Sequence, residues 1–133
     1  MIVVDSNIVA YLYLPGELTR RAEALLEQDP DWCAPPLWRS EFRNVLAGFM
    51  RHGQLSVETA CAIQAEAEDL MAGAEHDVDS RSVLELVRDS ACSAYDCEFV
   101  ALSRALGVPL VTMDAKLRRA FPGHTMPLPA SRT

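Results

Sequence analysis

The junction at the start of the chain constrains its fold more than any other feature. Ile2-Val3-Val4 is a short β-branched run, and three good helix-capping residues, Asp5-Ser6-Asn7, follow it directly. A strand that turns at once into a capped helix is the first half of a crossover unit. An apolar helix over Ile8–Leu14 should follow and stop at Pro15-Gly16. The alternation continues along the chain. Glu17–Gln28 has helical apolar spacing, and Trp32-Cys33-Ala34 reads as a short buried strand. Pro35-Pro36 then opens a helix to about His52. Ser56 and Ser80 each cap a further helix, with a strand candidate at His76–Val78 between them. Ser93 opens a helix that ends at Leu106, with Gly107 as its C-terminal glycine. Leu110–Thr112 reads as a strand and Asp114 caps a short helix to about Ala120. His124–Leu128, with its proline, suits an edge strand. Short strands alternating with helices imply an α/β fold, a parallel sheet covered on both faces and joined by right-handed crossovers.

Length and composition narrow the class. At 133 residues the chain suits one domain, spanning 1–133, that folds without disulfides or a structural metal. No apolar run is long enough to cross a membrane, and the start has no basic segment and meets a charge at Asp5. The expected compartment is the cytoplasm, with no membrane partner. Cys33, Cys61, Cys92 and Cys97 form no metal-site spacing and read as small buried apolar residues. The charge is −7, from 12 basic and 19 acidic side chains. That balance excludes a broad basic surface gripping nucleic acid by counterion release. It leaves room for nucleic-acid chemistry at a carboxylate cluster whose charge bound cations offset. The basic residues collect at Arg39 with Arg43, and at Lys116 with Arg118 and Arg119.

In a parallel sheet, ligands sit at the carboxyl ends of the strands. Asp5 follows the first strand and Asp114 follows the strand at Leu110. Asp96 falls in the first turn of its helix, and Glu41 early in the helix after the Trp32 strand. Helices antiparallel to the strands begin at that same edge, so four carboxylates from four segments can share one rim. Each also has a plain structural role available. Asp5 and Asp114 are ordinary caps, and Asp96 can complete a capping box with Ser93. Glu41 lies on the shoulder of an apolar stripe, where a carboxylate is poorly hydrated. Asp77 and Asp79 follow another strand candidate, and spacing alone excludes neither. Two carboxylates about 5 Å apart repel by roughly 3 kcal/mol at an effective dielectric of 20. Such a cluster either raises its proton affinity or recruits a cation, and oxygen-only ligands suit Mg²⁺ or Mn²⁺. Hydrolysis of a phosphodiester is the matching reaction class.

Four blocks carry a family resemblance: Val3-Val4-Asp5-Ser6-Asn7, Trp38 to Leu46, Ser93 to Ser103, and Leu106 to Asp114. In this order and at these separations the chain resembles PIN-domain ribonucleases, and more narrowly VapC-type toxins of toxin–antitoxin pairs. The resemblance implies a three-layer α/β/α sandwich with a mainly parallel five-stranded sheet of order 3-2-1-4-5. That order puts the third strand at an edge, which disfavours Asp77 and Asp79. It selects Asp5, Glu41, Asp96 and Asp114 as catalytic ligands of one or two Mg²⁺ or Mn²⁺ ions. Ser6 and Thr112 match the hydroxyl positions that orient those ligands, and Asn7 a polar position of the opening motif. The resemblance also implies cleavage of single-stranded or loop RNA by water, leaving a 5′-phosphate and a 3′-hydroxyl. Lys116, Arg118 and Arg119 are the expected phosphate contacts. A homodimer and a small inhibitory antitoxin are the expected partners.

Two other classes compete. A receiver-like phosphoacceptor domain needs an acidic pair after strand one and a lysine after the last strand. Here Ser6 follows Asp5, and no lysine lies in His124–Leu128. A phosphatase of the haloacid-dehalogenase type wants a second aspartate where Asn7 stands. A non-catalytic binding module on the same fold would break the quartet, whereas all four acidic positions are filled.

Overall fold

The computed structural model describes residues 1–130. Its sheet has four parallel strands: β1 (Ile2–Val4), β2 (Trp32–Cys33), β3 (Leu110–Val111) and β4 (Thr125–Met126). Their order is β2-β1-β3-β4. Seven helices flank it: α1 (Ser6–Tyr13), α2 (Thr19–Gln28), α3 (Trp38–Arg51), α4 (Val57–Leu70), α5 (Ser80–Arg88), α6 (Ala94–Leu106) and α7 (Ala115–Ala120). Every residue of β1, β2 and β3 is buried, as expected of a parallel sheet with both faces covered. In register, Ile2 pairs with Trp32 and Val3 with Cys33. On the other side, Val3 pairs with Leu110 and Val4 with Val111. The α6 side chains Phe99, Val100 and Leu102 join the same core, as do Trp38 and Phe42 of α3.

The fifth strand expected at His76–Val78 does not form. One parallel bridge, Ala34 with Glu75, stands in its place. Ala34 donates to the Ala74 carbonyl at 3.2 Å, and His76 donates to the Ala34 carbonyl at 3.1 Å. His76-Asp77-Val78-Asp79 has no apolar pair to bury on both faces, so the pairing ends after one residue. Asp79, not Ser80, caps α5: its Oδ2 accepts from the Ser82 amide at 3.0 Å and from the Ser82 hydroxyl at 2.9 Å. Gly107 ends α6 at φ 66°, a conformation that a Cβ would strain. Three cysteines are buried, and burial pushes the Cys33 thiol up to about 11. Cys61 departs from the expectation and is exposed on α4. No helix among the described residues is long and apolar enough to cross a membrane.

The bridge at Glu75 is clamped by side chains. Arg39 Nε and Nη2 donate to the two Glu75 carboxylate oxygens at 2.6 and 2.8 Å, and Arg39 Nη1 donates to Glu68 Oε1 at 3.0 Å. The indole of fully buried Trp38 donates to Glu75 Oε2 at 2.7 Å. Arg39 is thus a structural cation tying α3 to α4 and to the edge segment. Glu75→Ala strands a buried indole N–H and unpairs the guanidinium. It should lower the unfolding free energy by about 1–3 kcal/mol, with Glu75→Gln, which keeps an acceptor, losing less. Urea denaturation measures both, and an unchanged midpoint for Glu75→Ala would show the clamp to be idle.

Candidate active site

The pairing of Val4 with Val111 sets Asp5 beside Thr112 at the carboxyl end of the sheet. Thr112, wholly buried at 0 % exposure, donates from Oγ1 to Asp5 Oδ2 at 2.7 Å. The other Asp5 oxygen accepts from the Asn7 amide at 3.4 Å, capping α1. Ser6, 3 % exposed in the first turn of α1, donates from Oγ to Glu41 Oε1 at 2.7 Å. Glu41 reaches that point because it lies in the first turn of α3, half-buried. Asp114 caps α7, its Oδ1 accepting from the Lys116 and Leu117 amides at 2.8 and 3.1 Å. Its own amide donates to Thr112 Oγ1 at 3.0 Å. Asp96 sits in the first turn of α6, where its amide donates to Ser93 Oγ at 3.1 Å. A cleft of about 400 Å³ is lined by Asp5, Glu41, Asp96 and Asp114 together, with Ser6 and Asn7. Asp5 and Asp114 cap their helices and line this cleft at the same time.

Other candidates lie outside. Asp77 and Glu98 line a neighbouring cleft, separated from this one by Leu37. Lys116, Arg118 and Arg119 follow Asp114 on α7 but do not line the cleft. Lys116 is exposed there, and Arg118 and Arg119 fall in the last turn. Among the described residues none of the three forms an ion pair. Three lining residues escaped the sequence reading: Ser40, Asn44 and Tyr95. Asn44 stands three positions after Glu41 and shares its helix face, a spacing that could have found it. Tyr95 is 63 % exposed at the rim, a position no apolar pattern signals.

The cleft concentrates negative charge. Burial raises the proton affinity of Asp5, opposed by the Thr112 hydroxyl and the Asn7 amide and reinforced by the charges of Asp96 and Asp114. Burial likewise raises Glu41, opposed by the Ser6 hydroxyl and reinforced by Asp5, Asp96 and Glu98. Asp96 is raised by burial and then by Asp114, with Ser93 and Lys116 opposing. Among the described residues no salt bridge neutralises any of the four. Nor do any three His, Cys, Asp or Glu side chains there converge as a ready ion position. As a donor set, four carboxylates flanked by hydroxyls fit a hard dication and do not fit zinc.

A carboxylate whose proton affinity is raised by folding stabilises the fold fully below its ordinary value, and that contribution is lost as pH rises through the raised value. Asp96→Asn removes one such charge. Without divalent ions it should melt about 3–5 °C above the unsubstituted chain at neutral pH, the shift that roughly 1 kcal/mol gives at this size. The gain should shrink as pH falls into the ordinary carboxylate range, where protonation relieves both proteins. Thermal melts across pH check this; a gain independent of pH would remove repulsion as its cause.

Comparison with known proteins agrees with this architecture. Ribonuclease VapC3 of Pyrobaculum aerophilum is 28% identical over 133 residues, covering 95% of this chain and 98% of that protein. The crystal structure of PAE2754 from Pyrobaculum aerophilum superposes with a TM-score of 0.76 at 16% identity, over 96% of this chain and 90% of that one. FitAcB from Neisseria gonorrhoeae gives 0.71 at 18% identity, over 95% and 96%. At those identities the two structures speak for the fold alone. The PIN domain family matches residues 2–121, a span that contains Asp5, Glu41, Asp96 and Asp114, and the chain belongs to that family.

Proposed function

We propose that this chain is a divalent-metal-dependent endoribonuclease acting on single-stranded or loop RNA. The observation that carries the reading is the single cleft lined by Asp5, Glu41, Asp96 and Asp114, with no cation among the described residues paired to them. Its likeness to ribonuclease VapC3 over nearly the whole chain supports the choice of RNA. These four residues would hold one or two Mg²⁺ or Mn²⁺ ions. When bound, such an ion offsets the charge of the cleft and supplies Lewis acidity toward a phosphoryl oxygen and a water.

The chain's own residues do the positioning. Thr112 and Ser6 each spend a hydroxyl proton on one carboxylate, fixing Asp5 and Glu41 without neutralising them. Asp114 uses one oxygen to cap α7 and keeps the other for the cleft. Lys116, whose charge already eases the proton affinity of Asp96, stands where an incoming phosphate could be met, with Arg118 and Arg119 beyond it. Asn7 presents its side-chain amide to the same space. We further read the chain as one domain over 1–133, the toxin of a type II toxin–antitoxin pair, working in the cytoplasm as a homodimer. Its inhibitor would be a small antitoxin.

Two measurements test this. Mn²⁺ should raise the melting temperature of the unsubstituted chain, by RT ln(1 + [Mn²⁺]/Kd) in free energy, and should not raise that of Asp5→Ala. An equal rise in both would remove the ion site. Purified protein should cleave RNA in Mg²⁺ or Mn²⁺ and stop on chelation. Asp96→Asn or Asp114→Asn should lose at least about a hundredfold, or about 2.7 kcal/mol of barrier, while keeping a cooperative melt. Full cleavage by either variant would sink the mechanism.

A further inference from the structure

A second pocket, of about 340 Å³, adjoins the acidic cleft and shares Asn7 and Val45 with it. Tyr11 of α1 and Phe49 of α3 line it, with Leu14 and Leu18 from the segment around the turn after α1. We infer that this pocket is a nucleobase subsite, in which a base of the RNA next to the cleaved phosphate stacks on Tyr11 and Phe49. The inference rests on the ribonuclease reading above and names where its substrate is gripped.

Three observations carry it. First, Lys116, Arg118 and Arg119 do not line the cleft and the chain carries a charge of −7, so phosphate contacts leave room for a second source of RNA affinity. Stacking on aromatic faces is that source: it is indifferent to net charge and open to any base. Second, Glu17 is the pocket's one ionised lining residue. The cleft on the other side of Leu37 carries Asp77 and Glu98 and no aromatic ring, so it repels phosphate and offers no stacking face. Third, the pocket borders the reaction centre. Asn7 and Val45 form a wall common to the two, and Tyr11 stands four positions after Asn7 on α1, on the same side of that helix. Asn7, at the shared wall, can offer its amide to a base edge.

The test uses short single-stranded RNAs cleaved by the full chain in Mn²⁺, each with one abasic residue at successive positions. Base stacking is worth about 1–3 kcal/mol, so one abasic position beside the cleaved bond should cost about 5- to 150-fold in kcat/KM, mostly through KM. Phe49→Ala should show a similar loss on intact RNA and little further loss at that abasic position. Phe49→Leu, which keeps apolar filling, should also lose the abasic penalty and decides the case if Phe49→Ala melts early. An unaltered KM for both variants, or an abasic penalty that persists in them, overturns the subsite. So does a loss confined to binding of a partner protein. A chain that cleaves none of these RNAs overturns the ribonuclease reading and the subsite with it.

Discussion

The parallel pairing of β1 with β3 is the constraint on which the site depends. Because Val4 stands opposite Val111, Asp5 and Thr112 emerge at one level and their side chains meet at 2.7 Å. A slip of one residue would turn Thr112 to the other face of the sheet and leave the Asp5 carboxylate without its donor. The register is protected by what flanks it. All five residues of the two strands are buried, so a slip would carry Asp5 or Thr112 into apolar packing on one side.

Around that seam the protein assembles charge and then restrains it with neutral donors. Glu41 and Asp5 are each held by a hydroxyl, and Asp114 by two amides. Among the described residues none of the four is held by an arginine or lysine. A guanidinium would have relieved the repulsion more fully, at the expense of filling the cleft that the four carboxylates line. Arg39 of α3, two positions before Glu41, bonds to Glu75 and Glu68 instead.

Much of this was legible in the chain because it is written in local chemistry. Ser56, Ser93 and Asp114 cap the helices expected of them, and Gly107 closes α6. The four rim carboxylates could be placed because strand ends and helix starts share an edge in a parallel sheet. What could not be read were features set by partners far away. The fifth strand shrank to one bridge because pairing at Glu75 depends on Ala34, more than forty positions earlier. Arg39 stood out in the sequence only as a neighbour of Arg43, and its carboxylates come from α4 and the edge segment. Spacing alone did not separate Asp79 from the rim acids; the family's strand order disfavoured it, and its bonds to Ser82 show it capping α5. Tyr95 lines the cleft from an exposed position, where burial patterns are silent.

The clamp on α3 has a mechanical corollary. Arg39 and Glu41 are two positions apart on one helix, so they project about 200° apart around its axis. One anchors the outer side while the other addresses the acidic cleft. Both networks therefore act on one helix: Glu75 holds α3 through Arg39 and Trp38, and the same helix carries the carboxylate that Ser6 meets at 2.7 Å. A lesion at the sheet's margin thus bears on the element that sets the Glu41 oxygens, with every side chain of the cleft left intact.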